Sequence, residues 1–236
     1  MIGSENTTHN DCFMWIVIPT YNEDQVIQDV IREIQAAGYR NIIIVDDGSA
    51  DDTYAKALAM PGVVVLRHHL NRGKGAATKT GIEAAKMLGA NIIVTMDGDG
   101  QHNPKDIAEL IKPIRDSHCD VVLGTRLKNP RGMPWHKILA NWIGNAITWY
   151  FYGLWVSDSQ SGFRAYSRHA SELINTKTDR YEYDSEVIRE IYLYKLKYRE
   201  VPIEVRYTDY SIGKIHKQSF TNGLKTLYKI IWNLIS

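Results

Sequence analysis

Asp97-Gly98-Asp99 sets two carboxylates two residues apart around a glycine, at the end of the apolar run Ile92–Met96. On a turn, both carboxylates can face one point, and hard oxygen ligands of this kind suit Mg2+ or Mn2+. A cation held there neutralises a departing diphosphate. Gln101 offers a further oxygen and His102 lies close by. A solvated loop would use the same residues, since Asp-Gly pairs are common in turns.

Four further clusters carry groups that recognise nucleotides and phosphates. Asp46-Asp47-Gly48-Ser49 is followed by Asp51 and Asp52, which suit the capping of a helix. Asp46 comes too early for that cap and is placed to accept hydrogen bonds from a base or ribose. Asn71-Arg72-Gly73-Lys74-Gly75 resembles a phosphate cradle ahead of a helix. It is not the G-x-x-x-x-G-K-[ST] motif. Pro19-Thr20-Tyr21-Asn22-Glu23 is a third cluster, and Arg126 with Arg164 are cations for a surface ion pair or an anionic ligand.

These residues need a scaffold that delivers them to one place. Short β-rich apolar runs occur at Trp15–Ile18, Ile42–Val45, Val63–Leu66, Ile92–Met96 and Val121–Leu123. Helix-length amphipathic stretches lie at Asp24–Ala37, Asp52–Ala59, Ala76–Leu88 and Lys105–Arg115. Unbroken apolar strands belong to a parallel sheet covered on both faces. Their alternation with helices predicts an open α/β fold with right-handed crossovers. Ligands then bind beyond the carboxyl ends of the strands, where every cluster falls. The second half predicts a helix over Asp184–Lys195 and a half-exposed strand over Glu200–Tyr207.

The 236 residues suit one large domain, or one domain with a C-terminal extension, and a net charge of +1 predicts no nucleic-acid partner. Cys12 and Cys119 lack disulfide or zinc-site spacing, which fits a reducing cytosol. Residues 1–12 read as a polar, flexible tail and not as a signal peptide. Ile138–Val156 carries no charge, yet Asn141, Asn145, Thr148 and Tyr152 form a polar stripe among Trp142, Trp149, Tyr150, Phe151 and Trp155. A helix over 135–156 therefore suits a membrane interface, or packing on the domain, better than crossing a bilayer. The segment 213–236, with Lys225 and Lys229 on one face, reads as a basic amphipathic helix.

Together, residues 17–23, 46–53, 71–75, 97–102 and the Ser161-Gly162-Phe163-Arg164 motif resemble family 2 glycosyltransferases of the GT-A fold. More narrowly, they are similar to dolichol-phosphate mannosyltransferases and their bacterial polyprenyl-phosphate relatives, from about Ile16 to Lys214. The resemblance implies a Rossmann-like, mostly parallel sheet over 13–212, flanked by helices. It assigns Pro19, Tyr21, Glu23, Ile44, Asp46, Lys74, Asp97 and Gly98 to the nucleotide. It assigns Asp97, Asp99 and Gln101 to the metal, and Arg126, Ser161 and Arg164 to the acceptor or diphosphate. Dolichol-type enzymes carry R-x-x-G-x-S-K after the late strand. Arg206-Tyr-Thr-Asp-Tyr-Ser-Ile-Gly-Lys214 is closer to R-Y-T-x-Y-S-x-x-K, leaving Arg206 and Lys214 as alternative cations for the diphosphate.

The activity implied by this resemblance is inverting transfer from a UDP- or GDP-sugar to a polyprenyl phosphate. The enzyme would sit peripherally on the cytosolic face of a membrane, with an integral membrane protein as a further candidate partner. A phosphate nucleophile needs no strong base. A hydroxyl acceptor, saccharide or protein, would need one: Asp158, or Asp184 if that residue is not simply the cap of its helix. A sugar-nucleotide-binding module without catalysis is the remaining alternative.

Overall fold

A computed structural model describes residues 13–126, 135–180, 182–206 and 210. The 1–12 tail, the 213–236 helix and Lys214 lie outside these residues.

Seven strands form one sheet: β1 Met14–Thr20, β2 Ile42–Asp46, β3 Val63–Arg67, β4 Ile92–Thr95, β5 Val121–Thr125, β6 Arg164–Ser167 and β7 Tyr198–Pro202. Their order is β3-β2-β1-β4-β6-β5-β7. All pairings are parallel except those of β6, which runs antiparallel to both β4 and β5. Among the described residues they are accompanied by the α-helices α1 Ile27–Ala36, α2 Thr53–Leu58, α3 Lys74–Met87, α4 Ile107–Arg115, α5 Trp135–Tyr152, α6 Arg168–Leu173 and α7 Glu182–Leu193. The mostly parallel α/β architecture expected from the sequence is present.

The unbroken apolar strands follow from burial on both faces. Ile16, Ile18, Ile42, Ile44 and Val94 pack with α1 and α4. Val17, Ile43, Val45 and Ile93 point the other way, toward Ala77 and Ala85 of α3. Helix α1 presents Ile27, Val30, Ile31 and Ile34, and α4 presents Ile107, Leu110, Ile111 and Ile114. Both show the i, i+3, i+4, i+7 stripe of a helix lying on a sheet. Each such isoleucine, where wholly withdrawn from water as Ile27, Ile31, Ile34 and Ile107 are, contributes about 1.5–3 kcal/mol before entropy is counted.

Two strands depart from expectation. β6 has no counterpart among the apolar runs, because its opening Arg164 belongs to a motif that reads as loop. The late strand sits earlier than Glu200–Tyr207. The strand ends at Pro202; beyond it Ile203 N–H still donates to Thr125 O at 3.1 Å, and Val205 forms a bridge with His102.

Helix α5 carries the uncharged aromatic segment with its polar stripe turned inward. Asn145 and Thr148 are buried, whereas Trp142, Ile143, Trp149, Tyr150 and the following Trp155 are all more than two-fifths exposed. The side chain of Asn141 lies outside the described residues. Among those residues, no helix is long and apolar enough to cross a membrane.

Candidate active site

The carboxyl ends of β1, β2 and β4 bring their loops together. Asp47 N–H donates to Thr20 O at 2.8 Å, and Asn22 N–H to Ser49 Oγ at 2.9 Å. Glu23 N–H donates to Thr53 Oγ1 at 2.8 Å. Asn22 occupies the left-handed region at φ 54°, which asparagine tolerates. Asp46 is fully buried, accepts from Ser49 N–H and pairs with Arg67 at 3.1 Å. Asp51 accepts from the Thr53 N–H at the start of α2, at 3.0 Å, whereas Asp52, at the cap position, makes no side-chain cap bond.

The Asn71–Gly75 loop contributes a side chain to this edge and not a backbone cradle. Asp47, 2% exposed, accepts from Arg72 N–H at 3.1 Å and from Gly73 N–H at 2.6 Å. Its Oδ1 also meets His68 Nδ1 at 2.7 Å. Ala76 N–H is taken by Asp179 O at 3.0 Å. With those donors occupied, Lys74 reaches forward as the loop's contribution.

Lys74 Nζ lies 2.8 Å from Asp97 Oδ1 and 3.3 Å from Asp184 Oδ2. Burial opposes the charged ammonium, but Asp184 and Asp97 outweigh it and push the lysine above its usual value. Burial likewise opposes ionisation of Asp97. Lys74, with His102 Nε2 3.2 Å from Asp97 Oδ2, holds that carboxyl well below the usual range. Asp99 shifts the other way, raised by burial and then by the negative charge of Asp97. Its Oδ1 accepts from Gln101 N–H at 3.0 Å, which closes the turn.

The Ser161–Arg164 motif folds against this turn. Thr95 Oγ1 donates to Gly162 O at 2.8 Å. A Cβ on Gly162 would stand 2.6 Å from Asp97 Oδ1 and collide with Lys74 Nζ. A Cβ on Gly98 would lie 2.7 Å from Thr20 Cγ2. At both positions the absence of a Cβ lets these side chains approach the backbone closely without shifting. Pro19, Lys74, Asp97, Gly162, Arg164 and Asp184 line one narrow cleft.

Other candidates lie apart from that cleft or are committed elsewhere. Ile44 is wholly within the core, so its side chain supports the strand beside Asp46. Arg206 makes a bidentate pair with Glu33 (2.7 and 3.3 Å) and donates to His102 O at 3.0 Å. It braces the loop behind Asp97 in place of entering the cleft. Arg164 is buried and donates to Ser161 O, Ser159 O and Asp184 O. The Oγ of Ser161 and the Nη1 of Arg164 are buried without a hydrogen-bond partner. Arg126 grips Asp158 through Nε and Nη2, both at 2.7 Å. Tyr21 is exposed at the rim, and Glu23 accepts from Tyr210 OH at 2.8 Å.

Asp184 is not the cap of its helix. It is the third residue of α7, and its carboxylate pairs with Lys74 and, at 3.5 Å, with Arg164. The supporting roles of Asp47 and His102 are not evident from sequence. An Asp-Asp pair at a strand end and a histidine in the Asp-Gly-Asp turn are the signals that point to them.

The donor set fits a hard divalent cation. Two adjacent carboxylates, one pushed up by burial and then by the other's charge, are an arrangement that a cation relieves. Among the described residues no third carboxylate, histidine or cysteine completes a cage. That matches sites in which one or two carboxylates share the ion with substrate phosphates.

Residues 15–174 match the model of glycosyl transferase family 2. The chain belongs to this family. As a family 2 glycosyltransferase it is 38% identical to the UDP-N-acetylglucosamine–dolichyl-phosphate N-acetylglucosaminyltransferase of Methanococcus voltae, covering 94% of this chain and 96% of that one. It is 28% identical to the polyprenol monophosphomannose synthase of Mycolicibacterium smegmatis, over 91% and 84% of the two chains. The glucosyl-3-phosphoglycerate synthase of Mycobacterium tuberculosis, solved with Mn2+, UDP and phosphoglyceric acid, superposes with a TM-score of 0.66. It is 20% identical and covers 92% of this chain and 77% of that one. The fold of this family 2 enzyme is therefore GT-A.

Proposed function

We propose that this family 2 enzyme moves a sugar from a nucleotide-sugar to a polyprenyl phosphate at the cytosolic surface of a membrane. The observation that carries this reading is the state of the two carboxylates nearest to serving as a base. Asp158 is clamped by Arg126, and Asp184 by Lys74 and Arg164. A hydroxyl acceptor requires a group free to take its proton. A lipid phosphate brings an oxygen that is already anionic, so positioning and leaving-group stabilisation suffice.

In this scheme Asp46, Glu23 and Tyr21 orient the nucleoside beside Pro19. Asp97, Asp99 and Gln101 hold Mg2+ or Mn2+, which supplies charge neutralisation for the departing diphosphate. Lys74, already directed at Asp97, adds a second positive charge at the same point. Arg126 faces the acceptor phosphate, with Ser161 and Arg164 shaping the wall beside the sugar. Attack opposite the leaving group inverts the anomeric carbon. Lys214 remains a candidate for the diphosphate, while Arg206 supports the Gln101-His102 loop.

The exposed aromatic face of α5 supports the membrane part of this reading, since tryptophan and tyrosine favour the headgroup level. The dolichyl- and polyprenol-phosphate substrates in the names of the two relatives point to the same acceptor class. A panel of UDP- and GDP-sugars, beginning with UDP-N-acetylglucosamine and GDP-mannose, is the test. Polyprenyl-phosphate-dependent release of nucleoside diphosphate from one of them is expected; transfer to a saccharide hydroxyl alone would replace this reading.

A further inference from the structure

Asn145 ties the aromatic helix to the loop that holds Arg126. It is 2% exposed and lies on the inner face of α5. Its Nδ2 donates to Ser157 O at 2.5 Å, and its Oδ1 accepts from Ser159 N–H at 2.9 Å. One amide therefore grips the chain on both sides of Asp158. Asp158 in turn accepts from Arg126 N–H at 3.1 Å and from Nε and Nη2, both at 2.7 Å.

The neighbouring contacts hold the same loop. Ser157 donates its N–H to Glu200 Oε1 at 2.6 Å, and its hydroxyl meets Thr125 Oγ1 at 2.7 Å. Ser159 O accepts from Arg164 Nη2 at 2.8 Å, and Thr148 Oγ1 donates to Ser159 Oγ at 3.3 Å. Asn145 differs from the first three of these contacts in joining the loop to α5, which exposes Trp142 and Trp149 one turn to either side of it.

We infer that Asn145 is a positioning residue for the acceptor site, carrying the seating of α5 through the Asp158 loop to Arg126. This rests on the reading that Arg126 meets the acceptor phosphate. Substitution by alanine leaves the Ser157 carbonyl and the Ser159 N–H without their partner. Aspartate keeps an acceptor for Ser159 N–H but sets an oxygen against the Ser157 carbonyl. A buried backbone group stripped of its partner relaxes by moving, and Asp158 moves with it.

The test uses the full chain with undecaprenyl phosphate in phosphatidylcholine vesicles. Asn145→Ala and Asn145→Asp should each raise the acceptor KM about tenfold, the effect of losing one to two buried hydrogen bonds. Donor KM and vesicle flotation should stay unchanged. In an Arg126→Ala background the same substitutions should add almost nothing, because both act through one contact. A uniform fall in kcat, additive with Arg126→Ala, would overturn the inference. Amide exchange at Arg126 and Ser159 gives a second readout that does not need turnover. Faster exchange in the variants supports the positioning role, and unchanged exchange overturns it even if the wild type ignores lipid phosphate and the functional reading falls. If Asn145→Ala does not yield folded protein, Asn145→Ser is read by the same criteria.

Discussion

Lys74 Nζ bridges Asp97 Oδ1 at 2.8 Å and Asp184 Oδ2, 110 residues further along the chain than the lysine, at 3.3 Å, which joins the Asp-Gly-Asp turn to helix α7. A single ammonium thus sits where the proposed cation and diphosphate converge. Replacing it with methionine keeps most of the stem and removes the charge. Lys74→Met should lower kcat/KM by about 100-fold, the usual range for losing one transition-state charge contact. Steady-state kinetics beside isothermal titration with the nucleoside diphosphate will separate turnover from binding. An unchanged kcat/KM would remove Lys74 from the site.

Asp97 and Asp99 should affect stability with opposite signs. Asp97 is depressed in the fold, so its contribution is present above the unfolded aspartate value of about 4 and is lost as pH falls through the lower folded value. Asp99 is raised, so the fold is penalised increasingly as pH rises above about 4 and that carboxyl ionises. In metal-free buffer at neutral pH, Asp99→Asn should raise Tm by about 2–4 °C and Asp97→Asn should lower it by a similar amount. The gain in Asp99→Asn should vanish near pH 4. Mn2+ should raise the Tm of the wild type and leave that of Asp99→Asn almost unmoved. Differential scanning fluorimetry across pH, with and without Mn2+, reads all of these.

Gly162→Ala should abolish most activity while leaving the fold intact. The added methyl would press on Asp97 Oδ1 and Lys74 Nζ, both side-chain ends that can yield. A loss of at least about 100-fold in kcat/KM with a Tm within a few degrees is expected from displaced catalytic groups. Near-wild-type activity would show that the motif does not need its close approach.

The scaffold is legible in the sequence because parallel strands buried on both faces read as unbroken apolar runs. Ile42–Val45 and Ile92–Met96 identify β2 and β4 without any tertiary knowledge. Arg164–Ser167 is not legible as a strand, because its first residue is a buried arginine held by backbone carbonyls, a tertiary arrangement without a local pattern. Asp184 carries the spacing of a helix cap, and only the approach of Lys74, far away in the chain, gives it another role. For the same reason the capping of Arg72 and Gly73 by Asp47 is hidden, since those partners lie 25 and 26 residues apart. Asn145 and Thr148 declare a polar stripe, but its direction, inward, depends on the loop it meets.

The outward aromatic face of α5 predicts a lipid contact that can be removed without harming the fold. Trp149→Ala combined with Trp155→Ala deletes two rings that stand 6.1 Å apart, at 51% and 45% exposure. Flotation with anionic vesicles should fall several-fold, and Tm should change little because these side chains are half in water. Binding of the nucleoside diphosphate in solution should be unaffected. Equal flotation of variant and wild type would assign that face to another partner.

The most direct test of lipid-phosphate-dependent transfer measures release of nucleoside diphosphate from nucleotide-sugars, with and without undecaprenyl phosphate, in Mn2+ and again in EDTA. Release that requires both the lipid phosphate and the cation, and that collapses in Asp99→Asn, is the predicted result. Release that proceeds equally without lipid phosphate, or that survives Asp99→Asn undiminished, would contradict it.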